Sequence, residues 1–536
     1  VCVVEVEKMR GLQPACSTRI TEGMRIETET ERVRKSRKMA LELLVSNHYA
    51  DCVAPCQTTC PAGVDVQGYI SMISKGLHRE AVEIIKNTNP LPAICGRVCV
   101  RPCELACRRN LLDEPGVGID YLKRYAADID LEAENRFLPA MKPATGKKVA
   151  IIGSGPAGLS AAFFLAKEGH QVNIFEANDA AGGMLRYGIP PYRLPNEIID
   201  KEIEGITGLG VKIEFKRKLG VNLSFGDLKK DFDSVVLAIG SQAGTRIGCE
   251  NDDAGNIYSG IDFLRSMETS GQVYDFKGLR VGVIGGGNTA MDCCRTAKRC
   301  GAKEVTVIYR RTEKEMPANP IEIHESKLEG INYLFLTAPA RVNTGENGNL
   351  KSLTCFCMEL GEPDASGRQR PVKIEGSEFD IELNVILAAI GQKTVVNFLD
   401  DINQHSEQEL KLNKWGDIDA NPKSLQTSIP FVFACGDGVT GPATLIEAIA
   451  QGRLAAQSCH QFLMGVKISP LPFEFLSKRD DFQTQSQKDY QGWYAPQVRE
   501  EMPTLDPGAR HNFDEVELGY QHEAALTETS RCLECG

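Results

Sequence analysis

Nine of the nineteen cysteines in this chain stand within its first 107 residues, at intervals that suit metal ligands. Cys2 and Cys16 are separated by thirteen residues, the spacing between the last two thiolates of a [2Fe-2S] ferredoxin loop. Cys52, Cys56 and Cys60 then follow at steps of four, as do Cys95, Cys99, Cys103 and Cys107. Such steps stack thiols on one helical face. Soft thiolates select zinc or iron-sulfur clusters. Cysteine abundance without a signal peptide favours metal ligation in a reducing compartment over a disulfide framework, with the cytoplasm as the default location.

Two glycine-rich loops come next. In GSGPAG, Gly153 allows a tight turn, Gly155 lets the backbone approach a pyrophosphate, and Gly158 lets helix and strand pack closely; Pro156 and Ala157 open the helix whose N-terminus faces the phosphate. Glu176 ends the next strand, 23 positions after Gly153, where an acid accepts ribose hydroxyls. Far downstream, Gly436 and Asp437 precede an apolar helix and read as the second half of a flavin site, with Asp437 at the ribityl or phosphate region. The second loop holds Gly285, Gly287, Asn288, Thr289 and Ala290, and its second strand ends in Tyr309, Arg310 and Arg311. An acid there would suit NAD, whereas arginines suit the 2′-phosphate of NADP. Exposed arginines at a strand end are also common. Thiolate ligands ahead of two dinucleotide folds tip the metal toward iron-sulfur and the whole toward an electron-transfer flavoprotein.

The elements that must position these residues are legible from periodicity and punctuation. Residues 1 to about 30 read as strand and turn, and Glu27 to Ser46 as an amphipathic helix with Val33, Met39, Leu41 and Leu44 among its apolar positions. A helical Cys- and Pro-rich segment leads to a linker from Leu138 to Gly146. Lys147 and Leu279 each open a strand-turn-helix unit, and the strands VVLAIG (from Val235) and VILAAIG (from Val385) bracket the second unit. The fold class is therefore α/β: two nested Rossmann-like domains behind a helical iron-sulfur domain and part of a [2Fe-2S] module. The expected boundaries are 1–46 for that module, 47–140 for the helical iron-sulfur domain, 141–255 and 385–470 for the two parts of the FAD domain, 256–384 for the NADPH domain, and 471–536 for a tail wrapping over the surface.

A formal net charge of −11 makes nucleic acid an unsuitable partner, and no apolar run reaches the length of a membrane span. The chain opens without Met and stops within a cysteine motif, so it reads as part of a longer polypeptide. Cys293, Cys294, Cys300, Cys355, Cys357 and Cys459 lack metal spacing and read as packing residues. No Cys-x-x-Cys marks the nicotinamide domain, which disfavours a thioredoxin reductase mechanism.

From about Ala50 to Phe462 the chain resembles the glutamate synthase small subunit family. That family includes the N-terminal half of dihydropyrimidine dehydrogenase and the large subunit of NADH-dependent ferredoxin:NADP oxidoreductases. The motifs are CPAGVD, CGRVC, GSGPAG with GGMLRYGIPPYRLP, GGGNTAMDC, YRR with EMPA, and ACGDGVTGPATLIEAIAQGR. The resemblance adds Gly183, Met184, Arg186 and Thr444 to the cofactor site. It implies two [4Fe-4S] clusters, one on Cys52, Cys56 and Cys107 and the other on Cys60, Cys99 and Cys103, with Cys95 not a ligand. The fourth ligand of the second cluster, a Gln or Glu in relatives, falls near Lys123, which as an ammonium does not ligate. SRKMALELLVSNHYADC resembles the histidine-ligated cluster region of the complex I and iron-hydrogenase ferredoxin module, which makes His48 an imidazole ligand of the first cluster. TSRCLECG resembles the start of a further motif, with Cys532 and Cys535 as ligands of a C-terminal cluster.

The implied function is a subunit moving electrons between NADP(H) and ferredoxin-type clusters through FAD, two [4Fe-4S] and a [2Fe-2S] centre. Its implied partners in a hetero-oligomer are a complex I-like NADH-oxidising flavoprotein subunit and ferredoxin. The activity would be an NADH-dependent ferredoxin:NADP transhydrogenase, in a simple or an electron-bifurcating form. Rival readings are the glutamate synthase small subunit, against which the extra N-terminal module argues, an electron-transfer subunit of a formate dehydrogenase or hydrogenase, and a non-catalytic scaffold.

Overall fold

The computed structural model describes residues 2–46, 52–113, 115–269, 274–364, 367–469 and 495–535, with positions 488 and 492. The chain divides into two units, one of residues 1–55, 474–494 and 534–536 and one of residues 56–473 and 495–533.

In the smaller unit, Val3–Val6 is the centre of a three-stranded antiparallel sheet, flanked by Leu12–Pro14 and Ile26–Glu27. Val4 and Val6 alternate inward, and the helix Glu31–Ser46 buries Val33. This helix starts four residues later than expected because Ile26–Glu27 is spent on the sheet and Thr30 caps it, its Oγ1 accepting from Val33 N at 3.2 Å. Of the expected apolar face only Val33 is buried; Met39, Leu41 and Leu44 are exposed. Ala15 N donates to the Cys2 carbonyl at 2.8 Å, so Cys2 and Cys16 share one end of the sheet.

In the larger unit the helices Val66–Ser74, His78–Lys86, Pro92–Val98, Pro102–Leu105 and Ile119–Glu132 come first. Tyr69, Ile73, Ile85, Ile94 and Leu122 bury completely among them, in a core continuous with the first dinucleotide domain. A five-stranded, wholly parallel sheet follows in the order Val432–Ala434, Ser234–Leu237, Lys148–Ile152, Gln171–Phe175, Lys212–Glu214. A second parallel sheet runs Asn332–Leu334, Glu304–Ile308, Arg280–Ile284, Val385–Ala388, Ile257–Ser259. The inner strands, such as Ser234–Leu237 and Val385–Ala388, are short and fully buried because both faces are covered, whereas the edge strand Lys212–Glu214 is largely exposed. All strands of the second sheet lie in sequence between two neighbours of the first, which is the nesting expected of the fold class. The chain crosses between the sheets on two short antiparallel strands, Ala243–Gly244 and Gln392–Lys393. One element was not anticipated, an antiparallel meander from Thr337–Thr344 through Leu350–Pro363 to Gln369–Lys373, with Phe379–Glu382 pairing back onto Leu350–Pro363.

The end of the chain does not simply lie over the surface. Residues 495–533 carry the helix His522–Thr529, and Glu528 and Arg531 are fully buried. No helix among the described residues is long and apolar enough to cross a membrane.

Candidate functional site

The two glycine loops open onto one cleft of about 300 Å³. It lies beyond the C-terminal ends of Lys148–Ile152 and Ser234–Leu237, where the strand order reverses and doubly wound sheets bind ligands. Gly153 has φ +102°, and a Cβ there would stand 2.4 Å from the Ala238 carbonyl oxygen. On Gly158 a Cβ would meet the Gly153 oxygen at 2.0 Å, whereas on Gly155 the nearest atom is 4.0 Å away. Two of the glycines thus serve close packing, and the middle one leaves room for a phosphate group, so the loop fits a dinucleotide. Glu176 is buried and braces this loop. Its carboxylate accepts from Ser154 N (3.0 Å) and Oγ (2.5 Å), and from Asn178 N and Nδ2 (both 2.8 Å).

Gly183, Met184, Gly436, Asp437 and Thr444 line the cleft with Gly153, Gly155, Pro156, Ala157 and Glu176. Arg186 is not brought there. Its Nε donates to the Ala181 oxygen at 2.8 Å and its guanidinium pairs with Asp200. Thr444 caps the helix Leu445–Leu463 in a reciprocal box with Glu447, and this helix turns its N-terminal residues Leu445 and Ala448 to the cleft. Gly452 lets it close on the helix Pro156–Lys167, a Cβ there meeting the Ala157 oxygen at 2.3 Å. Gln451, which the sequence places in the second flavin element without a role of its own, accepts from Gly436 N at 2.8 Å and fixes the turn before Asp437.

Burial pushes the Asp437 carboxyl up to about 6, against the pull of the Ala443 N–H. In flavin-free protein the folded form then keeps a proton that the unfolded chain loses near pH ~4. The ionised carboxylate weakens the fold above the folded value, and the cost disappears below the unfolded one. Asp437→Asn is expected to stabilise flavin-free protein at pH 7 and to leave it unchanged at pH 4, as measured by denaturant unfolding. Parallel stability curves at both pH values would contradict this.

From the nicotinamide side, Asn288, Thr289, Asp292, Ala389 and Gln392 line the same cleft. Gly285 approaches the Ala389 oxygen as Gly153 does Ala238, a Cβ meeting it at 2.2 Å, while Gly287 is open and Ala290 is buried at the helix start. Asn288 Oδ1 accepts from Asn319 N at 2.8 Å and so ties the loop to the EMPA segment. Arg193, from the PPYRLP segment, bridges the two domains through Asp292 and Glu322, both at 2.8 Å. Arg310 and Arg311 part company. Arg310 is exposed, whereas Arg311 is buried, its Nε on the Gln369 oxygen (2.7 Å) and its Nη2 on Asp364 (2.8 Å).

Cys56, Cys60, Cys99, Cys103 and Cys107 all pack on one core, with Cys95 buried beside them. Val98 and Val100, the two neighbours of Cys99, line the dinucleotide cleft. A family model described as pyridine nucleotide-disulphide oxidoreductase matches residues 147–452. The chain belongs to that family. Ahead of this match, residues 29–135 fit the model of dihydropyrimidine dehydrogenase domain II, 4Fe-4S cluster. The oxidoreductase is 40% identical over 509 residues to the NADP(+)-dependent formate dehydrogenase subunit beta of Moorella thermoacetica, covering 90% of this chain and 70% of that one. It is 37% identical to the NADPH-Fe(3+) oxidoreductase subunit beta of Geobacter sulfurreducens, covering 90% and 75%. With the glutamate synthase [NADPH] small chain of Escherichia coli it shares 36% identity, covering 76% and 88%. FprA of Mycobacterium tuberculosis in complex with NADPH has the same fold, with a TM-score of 0.52, 18% identity, and coverage of 60% and 85%.

The remaining sulfurs of the oxidoreductase sort by burial. Burial pushes the thiols of Cys293, Cys294, Cys355 and Cys459 up, the last two to about 12, so these behave as inert packing groups. Burial also pushes Cys300 up, to about 11. Cys357 is half-buried. Cys532 packs against the iron-sulfur core, Cys535 is half-buried, and Cys2, Cys16 and Cys52 are exposed. His48 lies outside the described residues. Lys123 is buried, with Nζ 2.5 Å from Asp120 Oδ1 and 3.3 Å from Cys95 Sγ. Desolvation works to lower its pKa, but Asp120 and the Cys95 sulfur hold it well above the ordinary value, so it stays an ammonium.

Proposed function

We propose that this chain is the NADP(H)-linked subunit of a hetero-oligomeric flavin iron-sulfur oxidoreductase, exchanging electrons with ferredoxin-type clusters of partner subunits. The observation that carries this reading is that Val98 and Val100, on either side of Cys99, line the cleft shared by both glycine loops. When bound, FAD supplies hydride chemistry toward the nicotinamide and single-electron chemistry toward the clusters. The protein supplies position and charge. Gly153, Gly155 and Gly158 with the following helix take the pyrophosphate, Glu176 the adenosine ribose, and Asp437 and Thr444 the flavin end. Gly285, Gly287, Asn288, Thr289 and Ala290 take the nicotinamide dinucleotide. His48, Cys52, Cys56 and Cys107 hold one [4Fe-4S] cluster, and Cys60, Cys99 and Cys103 hold the other. Cys2 and Cys16 contribute to a [2Fe-2S] site, and Cys532 and Cys535 to a further one.

The arginine pair gives a direct test of cofactor choice. Arg310→Ser is expected to raise KM for NADPH about tenfold or more, the worth of a charge-assisted hydrogen bond, and to leave KM for NADH nearly unchanged. Arg311→Ser should instead destabilise the protein with little cofactor discrimination, because that guanidinium is committed to the meander. Equal effects of Arg310→Ser on both cofactors would contradict a 2′-phosphate contact.

The ferredoxin-like N-terminal module supports a complex I-like NADH-oxidising flavoprotein as the partner, and hence an NADH-dependent ferredoxin:NADP transhydrogenase, simple or bifurcating. A second reading, electron transfer with a formate dehydrogenase, draws on the 40% identity that extends over 90% of the chain. Purification of the native complex with identification of its subunits separates them. Formate-dependent NADP reduction by that complex supports the second reading, and NADH- and ferredoxin-dependent NADP reduction the first. Isolation as a flavin-free and iron-free single chain would overturn both.

A further inference from the structure

We propose that Asp120 is the oxygen ligand that completes the cluster of Cys60, Cys99 and Cys103, with Lys123 as the positioning residue that holds its other oxygen. The inference rests on the cysteine assignment above and fills the position that assignment leaves open. Asp120 and Lys123 sit one turn apart near the start of the helix Ile119–Glu132, on one face of it. Asp120 is 0% exposed, and its two oxygens are treated unequally. Oδ1 is bound by the Lys123 ammonium at 2.5 Å, while Oδ2 has no hydrogen-bond partner, its nearest cation being Arg101 Nε at 3.5 Å. A buried carboxylate oxygen without a partner is costly unless something binds it. The donor atoms of Asp120, Cys95 and Cys99 lie within 4.8 Å of one another.

The surroundings are built to hold such a charge. Arg101 stands between Cys99 and Cys103 with φ +57°, an uncommon conformation for a non-glycine residue, and its N–H donates to Cys99 Sγ at 3.4 Å. Its guanidinium lies over the Tyr121 ring at 4.2 Å, and the Asp120 N–H donates to Glu104 at 2.9 Å. A carboxylate in place of a fourth thiolate leaves the ligand charge unchanged, and Lys123 and Arg101 oppose it from both sides. Cys95 is the competing ligand, four residues before Cys99 on the helix Pro92–Val98, and its sulfur already accepts from Lys123.

The test compares Asp120→Ala, Asp120→Cys, Cys95→Ala and Cys99→Ala in the full chain, purified without oxygen. Iron and acid-labile sulfide are measured, with EPR spectra after mild oxidation and after reduction. Asp120→Ala is expected to lose one iron per chain and to show a three-iron signal on oxidation. Asp120→Cys should restore that iron with an altered spectrum and midpoint, and Cys95→Ala should match the parent. If Asp120→Ala keeps all its iron, or if Cys95→Ala gives the three-iron signal, the proposal fails. Should Asp120→Ala not fold, spectra and midpoint of Asp120→Cys identical to the parent overturn it. Parental iron content in Cys99→Ala would show that the cysteine assignment itself, rather than the role of Asp120, is wrong.

Discussion

Replacing Glu528 by Ala is expected to destabilise the protein by roughly 3–5 kcal/mol, the cost of leaving a buried charge without its partner. Glu528 and Arg531 are both fully buried and lie 2.8 Å apart. Glu528 also accepts from Gly118 N at 2.7 Å and Glu500 N at 2.9 Å. Arg531 donates to the carbonyl oxygens of Pro115 (2.7 Å), Gln497 (3.1 Å) and Gly116 (3.3 Å). Together they pin the loop that follows Cys107. Loss of the carboxylate should therefore loosen the cluster loop as well as the tail. Denaturant unfolding followed by circular dichroism and by visible absorbance should show both transitions at lower denaturant. The double variant with Arg531→Met should cost less than the two single changes added together, since neither charge is then left alone. Strict additivity would mean that the pair is not coupled.

Gly153→Ala is expected to abolish FAD binding while leaving iron content near that of the parent. A methyl group at this position would stand 2.4 Å from the Ala238 oxygen, and the backbone φ of +102° is one that L residues rarely adopt. The two central strands of the flavin sheet would have to move apart at the point where the cleft begins. Gly155→Ala provides the contrast. Its methyl meets no protein atom closer than 4.0 Å, so flavin-free stability should be retained while the methyl occupies the space left for the phosphate. Flavin absorbance and NADPH oxidation should fall to background in both variants, and the stability of flavin-free protein should fall only in Gly153→Ala. Parental flavin content in Gly155→Ala would place the pyrophosphate elsewhere.

What could be read without the structure is what local chain geometry imposes. A strand, a glycine turn, a helix and a second strand ending in an acid occupy consecutive residues, so the loop at Gly153 and the acid Glu176 were legible together. The nesting of two such units was legible because the bracketing strands are short, apolar and followed by glycine. The four-residue cysteine steps do not share one helical face: Cys99 and Cys107 have extended backbone and Arg101 is left-handed, so Cys95 and Cys103 sit on separate short helices, and packing rather than helical repeat gathers the thiols. Arg310 and Arg311 were not separable, because only the meander, 53 and 58 residues beyond Arg311, claims that guanidinium. Asp120 and Val100 lie in no motif, and Val98 and Gln451 lie within CGRVC and AIAQGR without chemistry of their own to mark them; their roles arise when helices distant in sequence close on one another. The tail reads as polar surface chain by composition, yet Glu528 and Arg531 are fully buried, where they serve backbone groups of Asp113, Pro115, Gly116 and Gly118, far away in sequence. Local periodicity thus determined which elements form and which cofactors they suit. Tertiary packing decided which polar groups are spent on holding the fold and which are left for chemistry, since burying an ionic group demands partners that only the assembled structure can bring within hydrogen-bond distance.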